Sequence, residues 1–177
     1  MNYASLRRMD LSNGPGVRSS IFVSGCKFHC PDCFNGAVQD FSYGKPYTDS
    51  TALELLKEIA KPHNSGLSIL GGEPLWQNID GMADLEKLCH VTHKLDKTVW
   101  MWTGFTWEEL MTPPSHPDAT WLMRRELVTC CDVLVDGRFE KDLKDPTLLW
   151  AGSTNQRVID VQKSLAAGQV ILRTGKD

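Results

Sequence analysis

The chain has 177 residues, of which 41% are hydrophobic, 8% aromatic and 23% charged, proportions typical of a globular domain rather than of a fibre or a disordered segment. Nineteen basic and 22 acidic residues give a net charge of −3, which excludes a strong positive field for binding nucleic acid or an anionic membrane. No apolar run approaches the roughly 18 residues of a membrane span and residues 1–10 lack the apolar segment of a signal peptide, so we expect a cytoplasmic protein.

The predicted elements alternate from the start of the chain between strand and helix. Residues 18–24 (RSSIFVS) are a β-rich run. Residues 51–60 (TALELLKEIA) have helical spacing and begin with a capping box made by Thr51 and Glu54. Residues 66–70 (GLSIL) then predict a second strand, which completes one strand–helix–strand unit.

The same alternation continues in the middle of the chain. Residues 80–93 carry apolar side chains at helical spacing, and residues 98–102 (TVWMW) predict the third strand. Thr106 and Glu109 form another capping box, which indicates the start of a further helix. Residues 132–136 (DVLVD) predict the fourth strand.

Strands joined by helical crossovers predict an α/β fold with a parallel sheet. A chain of this length is too short for eight full βα units, so we expect a partial or open (β/α) barrel and a single domain over residues 1–177. The Pro-rich residues 111–118 are interpreted as a surface loop. Residues 157–161 and 169–172 read as further short strands, and residues 158–177 form a C-terminal extension without an assigned role.

Each of the four predicted strands is followed by a loop of unusual composition. These loops cover residues 25–33, 71–75 (GGEPL), 103–105 (TGF) and 137–139 (GRF). Because the carboxyl ends of parallel strands face the ligand site in α/β proteins, the four loops predict one pocket assembled from separated segments.

The first of these loops holds three of the six cysteines, Cys26, Cys30 and Cys33, in a C-x₃-C-x₂-C arrangement. Three thiolates on one loop fit an iron–sulfur cluster or a zinc ion, both of which normally take four ligands. His29 is a candidate fourth ligand of a structural zinc site, whereas a [4Fe–4S] cluster with three protein ligands leaves one iron open to a substrate. A zinc module and a ferredoxin-like electron carrier both remain open on this spacing alone.

The second loop contains paired glycines followed by a glutamate, Gly71, Gly72 and Glu73. The glycines permit close approach of another backbone and a positive φ, while the carboxylate is an acceptor suited to an amino group. The motif is weak alone, but it shares a sheet edge with the cysteine loop, and the combination is specific.

The cysteine loop combined with GGEP resembles the radical S-adenosylmethionine superfamily, whose fold is a partial barrel. Within it, further segments resemble the activating proteins of anaerobic ribonucleotide reductases, a family of glycyl-radical activases. These segments are NGPGVR (13–18), FVSGC (22–26), CFN (33–35), WTGF (102–105), DVLVDGRFE (132–140) and GSTNQ (152–156).

The resemblance implies a [4Fe–4S] cluster bound by Cys26, Cys30 and Cys33, with S-adenosylmethionine on the open iron. A reduced flavodoxin-like donor would supply one electron, and a 5′-deoxyadenosyl radical would take a hydrogen atom from a glycine of the large subunit of the anaerobic ribonucleotide reductase. The radical chemistry then belongs to the cofactor and no side chain is needed as a general base.

The resemblance also implies the positions that contact the cofactor. The backbone of Gly71 and Gly72 and the carboxylate of Glu73 would receive the methionine amino group. The segment of Asp32, Cys33 and Phe34 would lie near the adenine, although Asp32 stands where an aromatic residue is common and Phe28 is an alternative. Thr103 and Asp136 correspond to positions beside the cofactor or a monovalent cation.

The remaining cysteines and histidines receive simpler interpretations. Cys89, Cys130 and Cys131 are expected to be core residues, and His90 and His93 are expected to lie on a solvated helix face. Two other enzymatic hypotheses stay open, namely activation of a pyruvate formate-lyase-like enzyme and a small-molecule radical rearrangement.

Overall fold

The computed structural model describes residues 1–174, and within that range the chain forms seven strands of one sheet. The strands are β1 (Asn2–Asp10), β2 (Val17–Val23), β3 (Lys45–Pro46), β4 (Asn64–Gly71), β5 (Thr98–Trp102), β6 (Val133–Asp136) and β7 (Arg157–Asp160).

Five α-helices connect or flank these strands in the described part of the chain. They are α1 (Asp49–Ile59), α2 (Ile79–Lys94), α3 (Trp107–Met111), α4 (Ala119–Thr129) and α5 (Val161–Ala167). Short 3₁₀ turns occur at Gly36–Gln39, Pro74–Trp76 and Lys141–Leu143. None of the helices in residues 1–174 combines the length and the apolar character needed to cross a membrane.

The sheet has the order β3-β1-β2-β4-β5-β6-β7 and is open, since β3 and β7 lie at its two ends. The four central strands β2, β4, β5 and β6 are parallel, as the alternation of strands and helices predicts. The α/β class is confirmed, and the four strands predicted to be parallel are β2, β4, β5 and β6. The outer strands β1, β3 and β7 pair antiparallel.

The core lies between the central strands and the helices. Its fully buried members from the sheet are Ile21, Val23, Leu67, Ile69, Val99, Met101, Leu134 and Ile159, and those from α1 and α2 are Leu55, Ile59, Met82, Leu85, Leu88 and Cys89. Burial of this apolar surface is the main favourable term that holds the parallel strands in register, and it fixes the loops at their carboxyl ends.

The helix starts test the predicted capping boxes. The box of Thr106 and Glu109 at α3 is confirmed, because the Glu109 carboxylate accepts from the Thr106 N–H at 2.8 Å. The box at α1 is wrong: Thr48 and Thr51 form it, three residues earlier. The threonine hydroxyl takes the place of a carboxylate there, and Glu54 instead pairs with Arg8 of β1 at 2.9 Å.

Several elements differ from the sequence predictions near the edges of the sheet. Strand β1 was not predicted because its mostly half-exposed residues do not alternate between apolar and polar. Residues 169–172 form no strand; Leu172 makes only an isolated bridge to Ile159 of β7. Residues 112–118 are exposed, which confirms the surface loop.

A buried arginine forms hydrogen bonds across the amino-terminal edge of the parallel strands. Arg18 of β2 is fully buried and its guanidinium donates to the Ser68 hydroxyl at 2.8 Å, the Leu67 carbonyl at 2.7 Å and the Thr98 carbonyl at 2.8 Å. Burial lowers the pKa of Arg18 to about 10. One side chain thus connects β2, β4 and β5.

Candidate functional site

A cavity opens at the carboxyl edge of the parallel strands. The loops after β2, β4, β5 and β6 all contribute to its wall, which confirms that the four unusual loops share one pocket. The residues that line it are Cys26, Phe28, Cys30, Cys33, Asn35, Gln39, Leu70, Gly71, Gly72, Glu73, Trp102, Thr103, Gly104, Gly137, Arg138, Phe139 and Gln156.

The cysteine loop after β2 is closed by its own backbone. The Cys26 N–H donates to the Gln39 carbonyl at 2.9 Å, and the Cys33 N–H donates to the Cys30 carbonyl at 3.2 Å. The loop therefore curls back against the 3₁₀ turn at Gly36–Gln39. All three thiols are free, half-buried and directed to the same cavity.

The surroundings of the thiols test which metal centre they fit. Burial raises the pKa of Cys26 to about 11 and also raises the pKa of Cys30, so both are protonated thiols until a metal displaces the proton. His29, the candidate fourth zinc ligand, is exposed and its Nδ1 lies 2.9 Å from Oε1 of Gln39, outside the cavity wall. Three soft sulfur donors around an open space fit a cluster with one free iron better than a closed four-ligand zinc site.

The glycines of GGEP bring the end of β4 against the cysteine loop. The Gly72 N–H donates to the Val23 carbonyl and the Glu73 N–H donates to the Gly25 carbonyl, both at 2.7 Å. A Cβ atom at Gly72 would lie 2.5 Å from the Gly25 carbonyl oxygen, and Gly71 has a φ of 111°. The predicted close backbone approach and positive φ are therefore both present.

Glu73 is a buried carboxylate with only 1% of its surface exposed. It accepts hydrogen bonds from the Thr103 hydroxyl at 2.8 Å, the Gly104 N–H at 2.7 Å and the Leu75 N–H at 3.0 Å. Burial outweighs these contacts and raises the pKa of Glu73 to about 7. The carboxylate fastens the loop after β4 to the loop after β5 while it lines the cavity.

The structure separates the residues expected to contact the cofactor into two groups. Those that line the cavity are Cys33, Gly71, Gly72, Glu73 and Thr103. Asp32 and Phe34 do not line it. The Asp32 carboxylate pairs with Lys141 at 2.6 Å at the surface, and Phe34 is 96% exposed.

Asp136, at the end of β6, also lies outside this cavity. It is buried, it accepts the Trp107 N–H at 2.8 Å and it pairs with the guanidinium of Arg157, whose Nε lies 3.0 Å from its Oδ1. This ion pair raises the pKa of Arg157. The positive charge beside Asp136 is thus the guanidinium of Arg157.

The rest of the wall is formed by residues to which the sequence assigns no specific contact, together with Phe28, the alternative expected near the adenine. Phe28 packs edge-on against Phe105 with ring centroids 4.9 Å apart, and the Arg138 guanidinium lies 4.5 Å from the Phe28 ring. Arg138 and Phe139 belong to the loop of residues 137–139 after β6, which the sequence predicts to be part of the pocket without a role for either side chain. Gln156 lies in the GSTNQ segment that resembles the activating proteins, but nothing in the sequence places it in the cavity.

Comparison with known proteins adds to this geometry. Residues 12–159 match a family model described as a 4Fe-4S single cluster domain. The chain is 35% identical over 161 residues to the anaerobic ribonucleoside-triphosphate reductase-activating proteins of Salmonella typhi and Escherichia coli K12, with 89% of this chain and 97% of each relative covered. It is 34% identical over 160 residues to the protein of the same name from Enterobacteria phage T4, with 89% of this chain and 93% of the relative covered.

Proposed function

Because the chain belongs to the family of anaerobic ribonucleoside-triphosphate reductase-activating proteins, we propose that it generates a glycyl radical on the anaerobic ribonucleotide reductase. The observation that carries the proposal is the convergence of Cys26, Cys30 and Cys33 with the GGE backbone on one cavity. The open sheet is then a partial barrel of the radical S-adenosylmethionine type, with its site at the carboxyl edge.

The chemistry would come from bound cofactors: a [4Fe–4S] cluster would pass one electron from a flavodoxin-like donor to S-adenosylmethionine, which would supply the radical that takes a hydrogen atom from a glycine of the reductase. The protein binds, orients and shields these groups. Cys26, Cys30 and Cys33 would hold the cluster as thiolates and leave one of its irons to S-adenosylmethionine.

The cavity wall offers a complementary contact for each end of S-adenosylmethionine. The Glu73 carboxylate and the carbonyl oxygens of Gly71 and Gly72 accept hydrogen bonds from the amino group, since the N–H groups of Gly72 and Glu73 are already bonded to the neighbouring loop. The Arg138 guanidinium is the cationic group of the wall and attracts the carboxylate.

Aromatic side chains cover the less polar part of the cofactor. Phe28 and Phe139 are the phenylalanines of the wall and take the role first expected of Phe34. Asp136 and Arg157 lie outside the cavity wall and support it, since they hold the start of α3 and the end of β6 in place. The site thereby excludes water without a side chain that transfers a proton.

The test of this function is a radical assay under anaerobic conditions. The cluster-loaded protein, the partner reductase, S-adenosylmethionine and reductant are mixed, and electron paramagnetic resonance is expected to show a protein-based glycyl radical. Replacing Cys26, Cys30 or Cys33 by alanine should abolish the signal, whereas Cys89→Ala, in a buried helix position away from the cavity, should retain it.

The same assay separates this target from other radical substrates. A pyruvate formate-lyase-like enzyme in place of the reductase should remain without a radical. If the cluster is intact and responds to S-adenosylmethionine but the reductase shows no radical signal, the proposed target is contradicted. The assignment of radical chemistry to this protein would still stand.

A further inference from the structure

A second group of metal-ligand side chains lies away from the cavity, between α2 and α4. Glu86 and His90 stand one turn apart on α2, and Cys130 caps the carboxyl end of α4. The His90 Nε2 atom lies 3.6 Å from Glu86 Oε1 and 3.7 Å from Cys130 Sγ, and the sulfur lies 4.0 Å from the carboxylate oxygen. None of the three residues lines the cavity of the cysteine loop.

The distance between the His90 imidazole and the Glu86 carboxylate is longer than that of an ordinary hydrogen bond. A hydrogen bond between the imidazole and the carboxylate would bring N and O to about 2.7–3.2 Å. Tetrahedral zinc, with Zn–S near 2.3 Å and Zn–N and Zn–O near 2.0–2.2 Å, places its ligand atoms about 3.3–3.6 Å apart. The three atoms surround a common point, and each pair is within about half an ångström of the spacing that zinc requires.

We propose that Glu86, His90 and Cys130 bind one zinc ion, with water at a fourth, solvent-facing position. Thiolate, imidazole and carboxylate are the donor types that zinc accepts together. Binding displaces the thiol proton to solvent and forms the Zn–S bond without any change of oxidation state. The two charges of the ion balance the thiolate and the carboxylate, so the half-buried site carries no net charge when zinc is bound.

Access and support are both present at this site. The His90 side chain is 57% exposed and Glu86 is 24% exposed, so an ion enters from solvent without rearrangement of the core. Cys130 itself is half-buried, and the nearby Cys89 and Cys131 are fully buried. The site therefore joins α2 to α4 through side chains that are already in place.

The consequence of zinc binding is a fixed position for α4. Arg124 of this helix donates from Nε to the Leu75 carbonyl at 2.7 Å, and its guanidinium lies 4.5 Å from the Trp76 ring. Leu75 and Trp76 directly follow the GGEP segment, residues 71–74. An ion between α2 and α4 thus stabilises the helix that supports one loop of the radical site.

The test uses the full chain with its iron–sulfur cluster loaded, so that the three cluster cysteines are occupied. Zinc chloride is titrated by anaerobic equilibrium dialysis, and bound zinc is examined by X-ray absorption at the zinc edge, where iron does not contribute. We expect one zinc per chain with one sulfur ligand and the rest nitrogen or oxygen. Zinc should also raise the midpoint of thermal unfolding.

Variants decide whether these residues are the ligands. His90→Gln changes an exposed side chain and spares the core, and it should weaken zinc binding at least about 100-fold, since even the loss of an outer-shell partner costs 10–100-fold. Cys130→Ala should remove the sulfur signal. His93→Gln, on the same helix but bonded to Asp132, is the matched control and should bind as the unchanged protein does.

Three results would overturn the proposal. The first is the absence of bound zinc at concentrations that saturate ordinary zinc proteins. The second is zinc with three sulfur ligands, which would place it on Cys26, Cys30 and Cys33. The third is equal affinity in the unchanged protein and in the His90 variant. None of these results bears on the radical assay.

Discussion

The Glu73 carboxylate is buried and accepts three hydrogen bonds, two from the loop after β5 and one from the Leu75 N–H of its own loop. Those bonds favour the charged form, yet burial opposes it more strongly, and the pKa rises to about 7. A hydrogen-bonding amino group from a ligand would supply what the carboxylate lacks. The buried carboxylate therefore lowers the stability of the ligand-free protein, and it offers an acceptor to the amino group of a bound ligand.

This residue predicts a pH dependence of stability in the cluster-free protein. The folded state holds the Glu73 proton up to about pH 7 and the unfolded state releases it near pH 4.5, so stability is greatest below pH 4.5 and falls until pH 7. Between pH 5 and pH 8 the free energy of unfolding should drop by about 2–3 kcal/mol from this group. Urea unfolding of Glu73→Gln should show a drop smaller by that amount, and equal slopes in both proteins would contradict the burial argument.

Residue positions also show where sequence reasoning stops. Cys33 and Glu73 could be placed in the site because their spacing and loop position carry the chemistry. Asp32 and Phe34 are adjacent to Cys33, but the left-handed backbone at Asp32, with a φ of 54°, and its ion pair with distant Lys141 turn both side chains outward. The residues around Asp32 in the sequence do not indicate a contact with a residue so far along the chain.

At the scale of elements, the junction of β2 and β4 depends on the absence of a side chain at Gly72. A methyl group there would meet the Gly25 carbonyl oxygen at 2.5 Å, a backbone atom that cannot turn aside. Gly36, in the turn after the cysteine loop, has no atom within 4 Å of its would-be Cβ. The two glycines form a matched pair for testing close approach.

Gly72→Ala should force the two loops apart, lower the free energy of unfolding by about 1–3 kcal/mol and reduce the iron bound per chain after reconstitution. Gly36→Ala should leave both quantities unchanged. Chemical unfolding and iron analysis of the two variants provide the measurement. Full iron content in Gly72→Ala would show that the GGEP loop does not position the cysteine loop.

A second junction joins β6, β7 and α3 through Asp136. Arg157→Gln removes the partner of this buried carboxylate and should cost about 2 kcal/mol, less than for a fully buried pair because Arg157 is one-third exposed. The same substitution in an Asp136→Asn background should cost much less, which a double-mutant cycle of urea unfolding measures. Arg8→Gln, at the exposed pair with Glu54, should leave the unfolding midpoint unchanged. Additive costs in the cycle would mean that the pair does not hold the junction.

The central elements could be predicted and the peripheral ones could not, for a physical reason. α2 follows from apolar residues that recur at helical spacing, and all of Met82, Leu85, Leu88 and Cys89 are buried as expected. β1 exists because it pairs with β2 along its length, not because of its own composition. Edge strands gain stability from a neighbour, and a single local window does not contain the neighbour.

At the scale of the whole molecule, the site adjoins an exposed aromatic side chain. The cavity is built from four loops at one edge, and Phe34 projects from the cysteine loop with 96% of its surface exposed. An exposed aromatic ring beside a site that must act on another protein is suited to contact that protein. Cleavage of the cofactor in the cavity and transfer of the radical to the reductase should therefore depend on different residues.

Phe34→Ala should reduce the yield of glycyl radical on the reductase several-fold, since it removes a contact with the partner. Reductive cleavage of S-adenosylmethionine in the absence of the reductase should stay unchanged, because the ring does not line the cavity. Leu53→Ala, at an exposed apolar position on α1, is the control and should affect neither quantity. A parallel loss of cleavage would place Phe34 in the cofactor site after all.

The buried arginine at the opposite edge of the sheet has a consequence for how the molecule folds. Arg18 obtains its acceptors from residues 50 and 80 positions further along the chain. Until β2, β4 and β5 have all come together, a desolvated guanidinium would lack acceptors, and such partly assembled sheets are unfavourable. The three strands therefore assemble in one cooperative step, and their amides should exchange with solvent only through global unfolding.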